Sequence, residues 1–258
     1  MKNILITGAN SYIGTSVEKR LMKEPDKYNV DTLDMQNSDW KEYDFSKYDV
    51  VFHVAGIAHI KETRENSHLY FEINRDLALE TAKKAKASGI KQFIYLSSMS
   101  VYGLDVGTIG NDTKPNPISS YGKSKFEAEE LLKDLDDENF MVCILRPPMV
   151  YGENSPGNLT KLINMVKKIH IFPTLRNRRS AISVEMLSMY IEDCIDNDKS
   201  GLILPQDKEY MCTYEIIRKY MDANNIKVIY TSIFNPILRF LIGKIGLISK
   251  CFGDLIYE

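Results

Sequence analysis

The side chains best suited to chemistry are a serine, a tyrosine and a lysine near the middle of the chain. Tyr121 and Lys125 lie four residues apart in the run YGKSK, so a helix places the phenol and the ammonium on one face. Ser98 follows an apolar run typical of a strand. A phenol ionises with a pKa of about 10, and nearby positive charge favours the phenolate. The pattern predicts a tyrosine base for an alcohol, with Ser98 hydrogen-bonded to the same substrate oxygen.

Spacing alone does not select this pair, because Tyr43 and Lys47 are spaced in the same way. Tyr43 lies in a charged loop, whereas Tyr121 begins a predicted helix 23 residues after Ser98. The context therefore favours Tyr121. The alternative interpretation is structural: Tyr121 caps a core helix and Lys125 is solvated.

The first fourteen residues indicate which kind of cofactor binds beside such a base. KNILIT predicts a strand, which turns at Gly8 into a helix that Gly14 allows to pack closely on it. Backbone N–H groups at such a helix start face a pyrophosphate. Asp34 ends the second predicted strand, where a carboxylate binds ribose hydroxyls and repels a 2′-phosphate. The segment therefore predicts NAD rather than NADP, and hydride chemistry on the alcohol.

Strand and helix signals alternate along the chain, which predicts a parallel sheet with crossover helices. Strands are predicted at 3–7, 30–33, 49–55, 92–97 and 141–146, and helices after Gly14, at 69–88 and at 121–135. We expect an α/β fold: a doubly wound parallel-sheet Rossmann domain over 1–152, then a smaller C-terminal substrate lobe over 153–258. Residues 180–204 are expected to return to the Rossmann domain.

Composition excludes several classes of protein. The 258 residues are 44% apolar with a net charge of −2, so no basic stripe indicates a nucleic-acid partner. The four cysteines are far apart and form no CxxC pair, which predicts no metal site and free thiols in a reducing compartment. The start of the chain runs directly into a strand without a secretory signal pattern. We expect a cytoplasmic protein.

One apolar stretch, 233–252, raises the question of a membrane. Its polar interruptions are Asn235, Pro236, Arg239, Lys244 and Lys250. A spanning helix needs about 20 mostly uncharged residues, so no integral membrane segment is predicted. Two uses remain open: packing against protein or a second subunit, which we favour, and lying on a membrane surface.

In constant order from residue 1 to about 205, these segments resemble the extended short-chain dehydrogenase/reductase superfamily, specifically the NAD-dependent epimerase/dehydratase family (UDP-glucose 4-epimerase-like). The family's opening Thr-Gly-x-x-Gly-x-x-Gly is matched by Thr7, Gly8 and Gly14, with Ser11 at the middle glycine position. Further matches are 44–45, 53–56, Asn74, 96–103, 121–125, 145–152 and 179–185.

The resemblance implies roles for particular residues. The implied cofactor contacts are Gly8, Asn10, Ser11, Tyr12, Ile13, Gly14, Asp34, Asp44, Phe45, Ala55, Asn74, Tyr121, Lys125 and Pro148. The implied substrate contacts are Ser98, Ser100, Tyr121 and Arg179, with Ser98, Tyr121 and Lys125 catalytic. A homodimer is implied, built on helices near 69–88 and 121–135. Family members often continue past the closing pattern found here at 251–257, so the resemblance leaves open whether the substrate lobe is complete at Glu258.

The residues after Ser98 narrow the reaction. A 4,6-dehydratase of this superfamily has an aspartate and a glutamate there, whereas this chain has Met99 and Ser100. We therefore expect a UDP-sugar 4-epimerase of surface polysaccharide biosynthesis, in which Tyr121 deprotonates the 4-hydroxyl while NAD accepts the hydride. One alternative is an NAD(P)H-dependent 4-ketoreductase of a UDP-4-keto-deoxy(amino) sugar, and another is a noncatalytic dinucleotide-binding protein. His59 is interpreted either as a substrate contact or as a solvated loop residue.

Overall fold

The structure, a computed structural model, describes residues 1–58, 60 and 62–258. Its strands are β1 Lys2–Thr7, β2 Tyr28–Leu33, β3 Val50–His53, β4 Gln92–Leu96, β5 Gly107–Ile109, β6 Met141–Leu145, β7 Met149–Tyr151, β8 Ile171–Pro173, β9 Ala181–Ser183, β10 Gly201–Ile203, β11 Ile229–Thr231 and β12 Leu255–Tyr257. Its α-helices are α1 Tyr12–Leu21, α2 Ser67–Phe71, α3 Leu77–Ala87, α4 Ser120–Lys133, α5 Asn158–Ile169, α6 Val184–Asp196, α7 Thr213–Ala223, α8 Asn235–Leu241 and α9 Gly246–Phe252. His59 lies outside the described residues, so its role stays a prediction.

The chain divides into two compact units. Unit 1 comprises Met1–Gly103, Pro115–Val150 and Ile182–Pro205, and unit 2 comprises Leu104–Lys114, Tyr151–Ala181 and Gln206–Glu258. Residues 104–114, which the sequence predicts to belong to the nucleotide-binding domain, fall in unit 2 because β5 pairs in parallel with β12 near the far end of the chain.

Unit 1 is built on a six-stranded parallel sheet in the order β2-β1-β3-β4-β6-β10. The strand order reverses between β1 and β3, where the chain first adds β2 on one side and later continues on the other. Ligands of such sheets bind beyond the carboxyl ends of the strands at this reversal. The architecture confirms the predicted α/β fold with a doubly wound parallel sheet.

Strand residues alternate between two buried clusters, because successive side chains of a strand point to opposite faces. One cluster includes Leu5, Val51, Phe93, Tyr95, Val142 and Ile144, and the other includes Ile4, Ile6, Phe52, Ile94, Leu96 and Leu145. Helices α3 and α4 contribute alanines and Leu132 to the first cluster, and α1 and α6 contribute Val17, Leu21, Leu187 and Ile191 to the second. Both faces of the sheet are thus covered by helices.

The helix predicted at 69–88 is interrupted. Helix α2 passes into a π-helical turn at Glu72–Asp76 before α3 begins, and the stretch ends at Gly89 with φ +79°. Apolar periodicity predicted a continuous helix because one extra residue per turn changes the period only locally. Short π-helical turns of this kind are frequent at functional sites.

Unit 2 has its own apolar core, in which Leu162 and Val166 of α5 pack with Ile217 and Met221 of α7 and with Phe172. Two short parallel pairs, β8 with β11 and β5 with β12, complete it. Among the described residues of the whole chain, no helix combines the length and the apolar character needed to cross a bilayer.

Candidate active site

Helix α4 begins where a serine caps it and a glycine brings it close to the preceding turn. The Ser119 hydroxyl accepts a hydrogen bond from the Gly122 N–H at 3.1 Å, the standard side-chain cap of a helix start. A Cβ on Gly122 would lie 2.6 Å from the Ser100 carbonyl oxygen. Glycine is therefore required for the start of α4, which carries Tyr121, to approach the segment that carries Ser98.

The structure brings Ser98 and Tyr121 together. Ser98 lies two residues after the end of β4 and caps the 3-10 turn Met99–Tyr102, where its hydroxyl accepts from the Ser100 N–H at 3.1 Å. Burial raises the pKa of Tyr121, whereas its hydrogen bond with Ser98 lowers it. Ser100, the other predicted substrate contact nearby, is exposed, with its hydroxyl 3.2 Å from that of Ser98.

Lys125 lies one helical turn after Tyr121 and is almost fully buried. Its ammonium donates to the Leu96 carbonyl oxygen at 2.9 Å and lies 4.7 Å from the Tyr95 ring centroid, at the carboxyl end of β4. Burial lowers its pKa to about 8, against a smaller raising effect of Glu129. Burial is thus the main influence on both groups, and it moves the pKa of Tyr121 upward, opposite to the direction that a base needs.

A buried ion pair between Glu129 and Arg146 supports this site, and sequence reasoning did not reveal it. The Glu129 carboxylate, one turn after Lys125 and fully buried, accepts from the Arg146 guanidinium at 3.0 and 3.1 Å and from the Ser97 hydroxyl. Arg146 also donates to the Tyr102 hydroxyl at 2.8 Å. The network joins α4 to the ends of β4 and β6. Its only sequence signal was an acidic residue on the buried face of α4.

Asn74 lies in the π-helical turn and is fully buried. Its amide oxygen accepts from the Ile57 N–H at 2.8 Å, and its amide nitrogen donates to the Ile57 carbonyl at 3.1 Å and to the Ser124 hydroxyl at 3.2 Å. These bonds join the loop after β3 to α4 beside Lys125. Asn74 is thus a positioning residue, and its cofactor contact stays a prediction.

The predicted pyrophosphate site lies at the reversal of the sheet. Gly8 has φ +104°, and a Cβ there would lie 2.7 Å from the Ala55 nitrogen, so β1 turns directly against the end of β3. Ser11, at the family's middle glycine position, caps α1, and its hydroxyl accepts from the Gly14 N–H at 3.2 Å. Asn10, with φ 63°, completes the turn. Tyr12 and Ile13 form the first turn of α1, whose N–H donors suit a pyrophosphate.

The other predicted cofactor residues lie around the same edge of unit 1. Asp34 follows β2 and is exposed, and one of its carboxylate oxygens accepts from the Gln36 N–H at 2.9 Å. Asp44 is exposed, and the Ser46 hydroxyl holds its pKa below the usual range. Phe45 belongs to the buried core, and Pro148 is buried just before β7. The glycine turn, the helix start and the exposed Asp34 fit a dinucleotide.

Arg179, the predicted diphosphate contact, belongs to unit 2. Its guanidinium donates to the carbonyl oxygens of Gly253 at 2.9 Å and of Ser249 at 3.3 Å, and burial lowers its pKa. The backbone of Arg179 is held between Met211 and Leu255. The structure therefore shows a guanidinium fixed by the end of α9, and its substrate contact stays a prediction.

Comparison with known proteins decides the family. The family model for the NAD dependent epimerase/dehydratase family matches residues 4–185. The chain belongs to this family. It is 32% identical over 246 residues to a UDP-glucose 4-epimerase of Vibrio cholerae, covering 84% of this chain and 74% of that protein. Membership confirms the resemblance seen in the sequence. It also confirms the predictions that the chain uses NAD and is an enzyme of the short-chain dehydrogenase/reductase type.

Two further relatives extend the comparison. The N-acetyl-alpha-D-glucosaminyl-diphospho-ditrans,octacis-undecaprenol 4-epimerase of Escherichia coli O157:H7 is 26% identical over 182 residues, covering 64% of this chain and 54% of that protein. The chain thus spans about half of that relative's length. The UDP-glucuronic acid 4-epimerase of Bacillus cereus, solved with NAD, superposes with a TM-score of 0.78 at 19% identity over 99% of this chain and 87% of that one. This likeness shows the shared fold.

Proposed function

We propose that the chain is an NAD-dependent 4-epimerase of UDP-hexoses that serves surface polysaccharide biosynthesis. The observation that carries the proposal is the arrangement in unit 1: Ser98 lies close enough to Tyr121 to lower the pKa of the phenol, and the Lys125 ammonium donates to the Leu96 carbonyl oxygen, two residues before Ser98. Family membership supports the cofactor. The two relatives named as 4-epimerases support carbon 4 as the reacting position.

Each residue has a defined task in this reaction. Bound NAD supplies the acceptor, and later the donor, of the hydride at carbon 4. Tyr121 takes the proton of the 4-hydroxyl as that carbon becomes a ketone, and returns a proton when the alcohol forms again on the opposite face. Ser98 donates to the same oxygen and stabilises its developing negative charge. Lys125, whose ammonium is already fixed by Leu96, adds positive charge beside the base.

An assay that does not depend on net consumption of NAD tests the proposal. Purified protein is incubated with UDP-glucose, UDP-galactose or their N-acetylamino counterparts, each with and without added NAD, and the anomeric proton signals are followed. An epimerase interconverts each pair because the hydride returns to the sugar. Tyr121→Phe protein serves as the control for contaminating enzymes.

Two outcomes contradict the proposal. Absence of interconversion, together with loss of NADH on a 4-keto sugar nucleotide, assigns the chain to the ketoreductases. Absence of both activities in protein that binds NAD assigns it to the noncatalytic dinucleotide-binding proteins.

A further inference from the structure

The segment 233–252 of unit 2 exposes an unusual amount of apolar surface. Helix α8 has no buried residue although it contains two leucines, an isoleucine and a phenylalanine. The exposed large apolar side chains of the segment are Ile233 at 75%, Phe234 at 42%, Ile237 at 58%, Phe240 at 66%, Ile245 at 43% and Leu247 at 74%. Single exposed apolar residues are ordinary, but a contiguous group marks an interaction surface.

The charges of the same segment are all positive. Between 233 and 252 there are three basic residues, Arg239, Lys244 and Lys250, and no acidic residue. Lys250 lies 3.7 Å from the Asp105 carboxylate. Within the part of the chain that the structure describes, neither Arg239 nor Lys244 is ion-paired with a carboxylate. The Lys244 ammonium instead lies 3.3 Å from the Phe240 ring centroid, so apolar and cationic groups share one surface.

We propose that the segment 233–252 docks unit 2 on an anionic lipid bilayer. Exposed aromatic and aliphatic side chains that alternate with cations are the composition of helices that lie in the interface of a membrane. Anionic headgroups attract each Lys or Arg near the surface. A second copy of the chain fits the segment less well, because a two-fold contact would bring the cations of both copies together. Docking at the surface also agrees with helices too short to span a bilayer.

Sedimentation with vesicles tests the docking. Purified full-length chain is mixed with vesicles of phosphatidylcholine alone, or of phosphatidylcholine and phosphatidylglycerol in equal parts, and the bound fraction is measured. Arg239 and Lys244 together are expected to favour the anionic vesicles by about twenty-five-fold, at about fivefold for each cation. The preference is expected to fall as salt is raised.

A charge-matched pair of variants locates the surface. Ile237→Glu with Phe240→Glu is expected to abolish binding to anionic vesicles. Met22→Glu with Ile169→Glu places the same two charges at side chains that are 60% and 51% exposed elsewhere, and it is expected to keep nearly all binding. Thermal unfolding of each double variant, compared with that of the wild type, checks that unit 2, which carries Ile169, Ile237 and Phe240, is still folded.

Every other result overturns the docking. If the wild type does not bind anionic vesicles, or if the two double variants lose binding equally, the segment 233–252 is not a membrane-docking surface. A double variant at 237 and 240 that dissociates a dimer, with vesicle binding unchanged, makes the segment a contact between copies. Vesicle binding is measured without turnover, so its result does not depend on the outcome of the epimerase assay.

Discussion

The Tyr121 hydroxyl lies where two opposing influences meet. Burial favours the neutral phenol, and the Ser98 hydrogen bond favours the phenolate. Tyr70, whose ring packs edge-on at 6.2 Å between ring centroids, adds to the raising effect. The raised pKa means that positive charge near the phenol is needed for Tyr121 to act as a base.

At this residue the simplest prediction is the loss of the base. Tyr121→Phe is expected to reduce turnover by several orders of magnitude while NAD still binds, because it removes the proposed base but leaves the glycine turn of unit 1 intact. The matched control is Tyr43→Phe, which removes a hydroxyl from the other Tyr-x-x-x-Lys pair. Wild-type turnover in Tyr121→Phe, or an equal loss in Tyr43→Phe, contradicts the assignment. Steady-state kinetics and NAD titration measure both.

The buried ammonium of Lys125 is expected to lower the free energy of unfolding. Its pKa falls from 10.5 to about 8 on folding, so the unfolded chain holds this proton more tightly, and stability rises with pH between these values. The shift corresponds to about 3 kcal/mol below pH 8, of which the hydrogen bond to Leu96 offsets about 1 kcal/mol. Lys125→Met is therefore expected to be more stable than wild type at pH 7, by about 2 kcal/mol.

Thermal unfolding across pH checks this sign. The stability advantage of Lys125→Met should shrink above pH 8 and reverse by about 1 kcal/mol near pH 10.5, where the cost of the buried charge is gone but the wild-type hydrogen bond to Leu96 remains. Lys123→Met, at an exposed position of the same helix, serves as the control. A Lys125→Met protein that is less stable than wild type at pH 7, or an advantage that does not vary with pH, would show that this ammonium is not destabilised by burial.

At the scale of elements, α4 is held to the sheet by the Glu129–Arg146 ion pair. Removing one partner of a buried pair leaves an uncompensated charge, which costs about 3–5 kcal/mol. The Glu129 carboxylate also raises the pKa of Lys125. Glu129 is therefore a positioning residue whose charge acts on the site through Lys125.

Glu129→Gln is expected to shift the alkaline limb of the kcat–pH profile to lower pH, because Lys125 then loses its proton more easily. A purely structural role would reduce the amount of folded protein and leave the profile unchanged, and that outcome contradicts the prediction. Glu127→Gln on the same helix is the control, since its carboxylate pairs with Arg75 at 2.7 Å on a partly exposed surface. That variant is expected to keep the wild-type profile.

The elements show what local sequence can and cannot predict. Strands β1, β3, β4 and β6 were predicted because a short apolar run can be recognised from neighbouring residues alone. The π-helical turn around Asn74 was missed because its extra residue depends on hydrogen bonds to Ile57 and Ser124. The pairing of Glu129 with Arg146 was missed for the same reason: both ends of the ion pair look ordinary until the sheet brings them together.

At the scale of the whole molecule, long-range pairing limits what the sequence reveals. The chain leaves unit 1 at Leu104, at Tyr151 and at Gln206, and it returns at Pro115 and Ile182. The second departure coincides with a proline and glycine cluster, which is visible in the sequence. The first does not, since β5 has only three residues and its partner β12 lies near the other end of the chain.

Cofactor binding should be visible in the stability of the whole chain. A ligand that binds only the folded state at a concentration of a hundred times its Kd stabilises it by about 2.7 kcal/mol. Gly8→Ala is expected to abolish the NAD-induced rise in Tm, because its Cβ would lie 2.7 Å from the Ala55 nitrogen in the turn that we propose binds the pyrophosphate.

Strain at a positive φ could lower the Tm of Gly8→Ala without any effect on NAD, and Gly89→Ala separates the two effects. Gly89 has φ +79°, yet a Cβ there would meet no atom within 4 Å. Gly89→Ala should therefore lower the Tm of the free protein but keep the full NAD-induced rise, measured by scanning fluorimetry against NAD concentration. Equal NAD-induced rises in both variants would mean that the turn at Gly8 does not bind the dinucleotide.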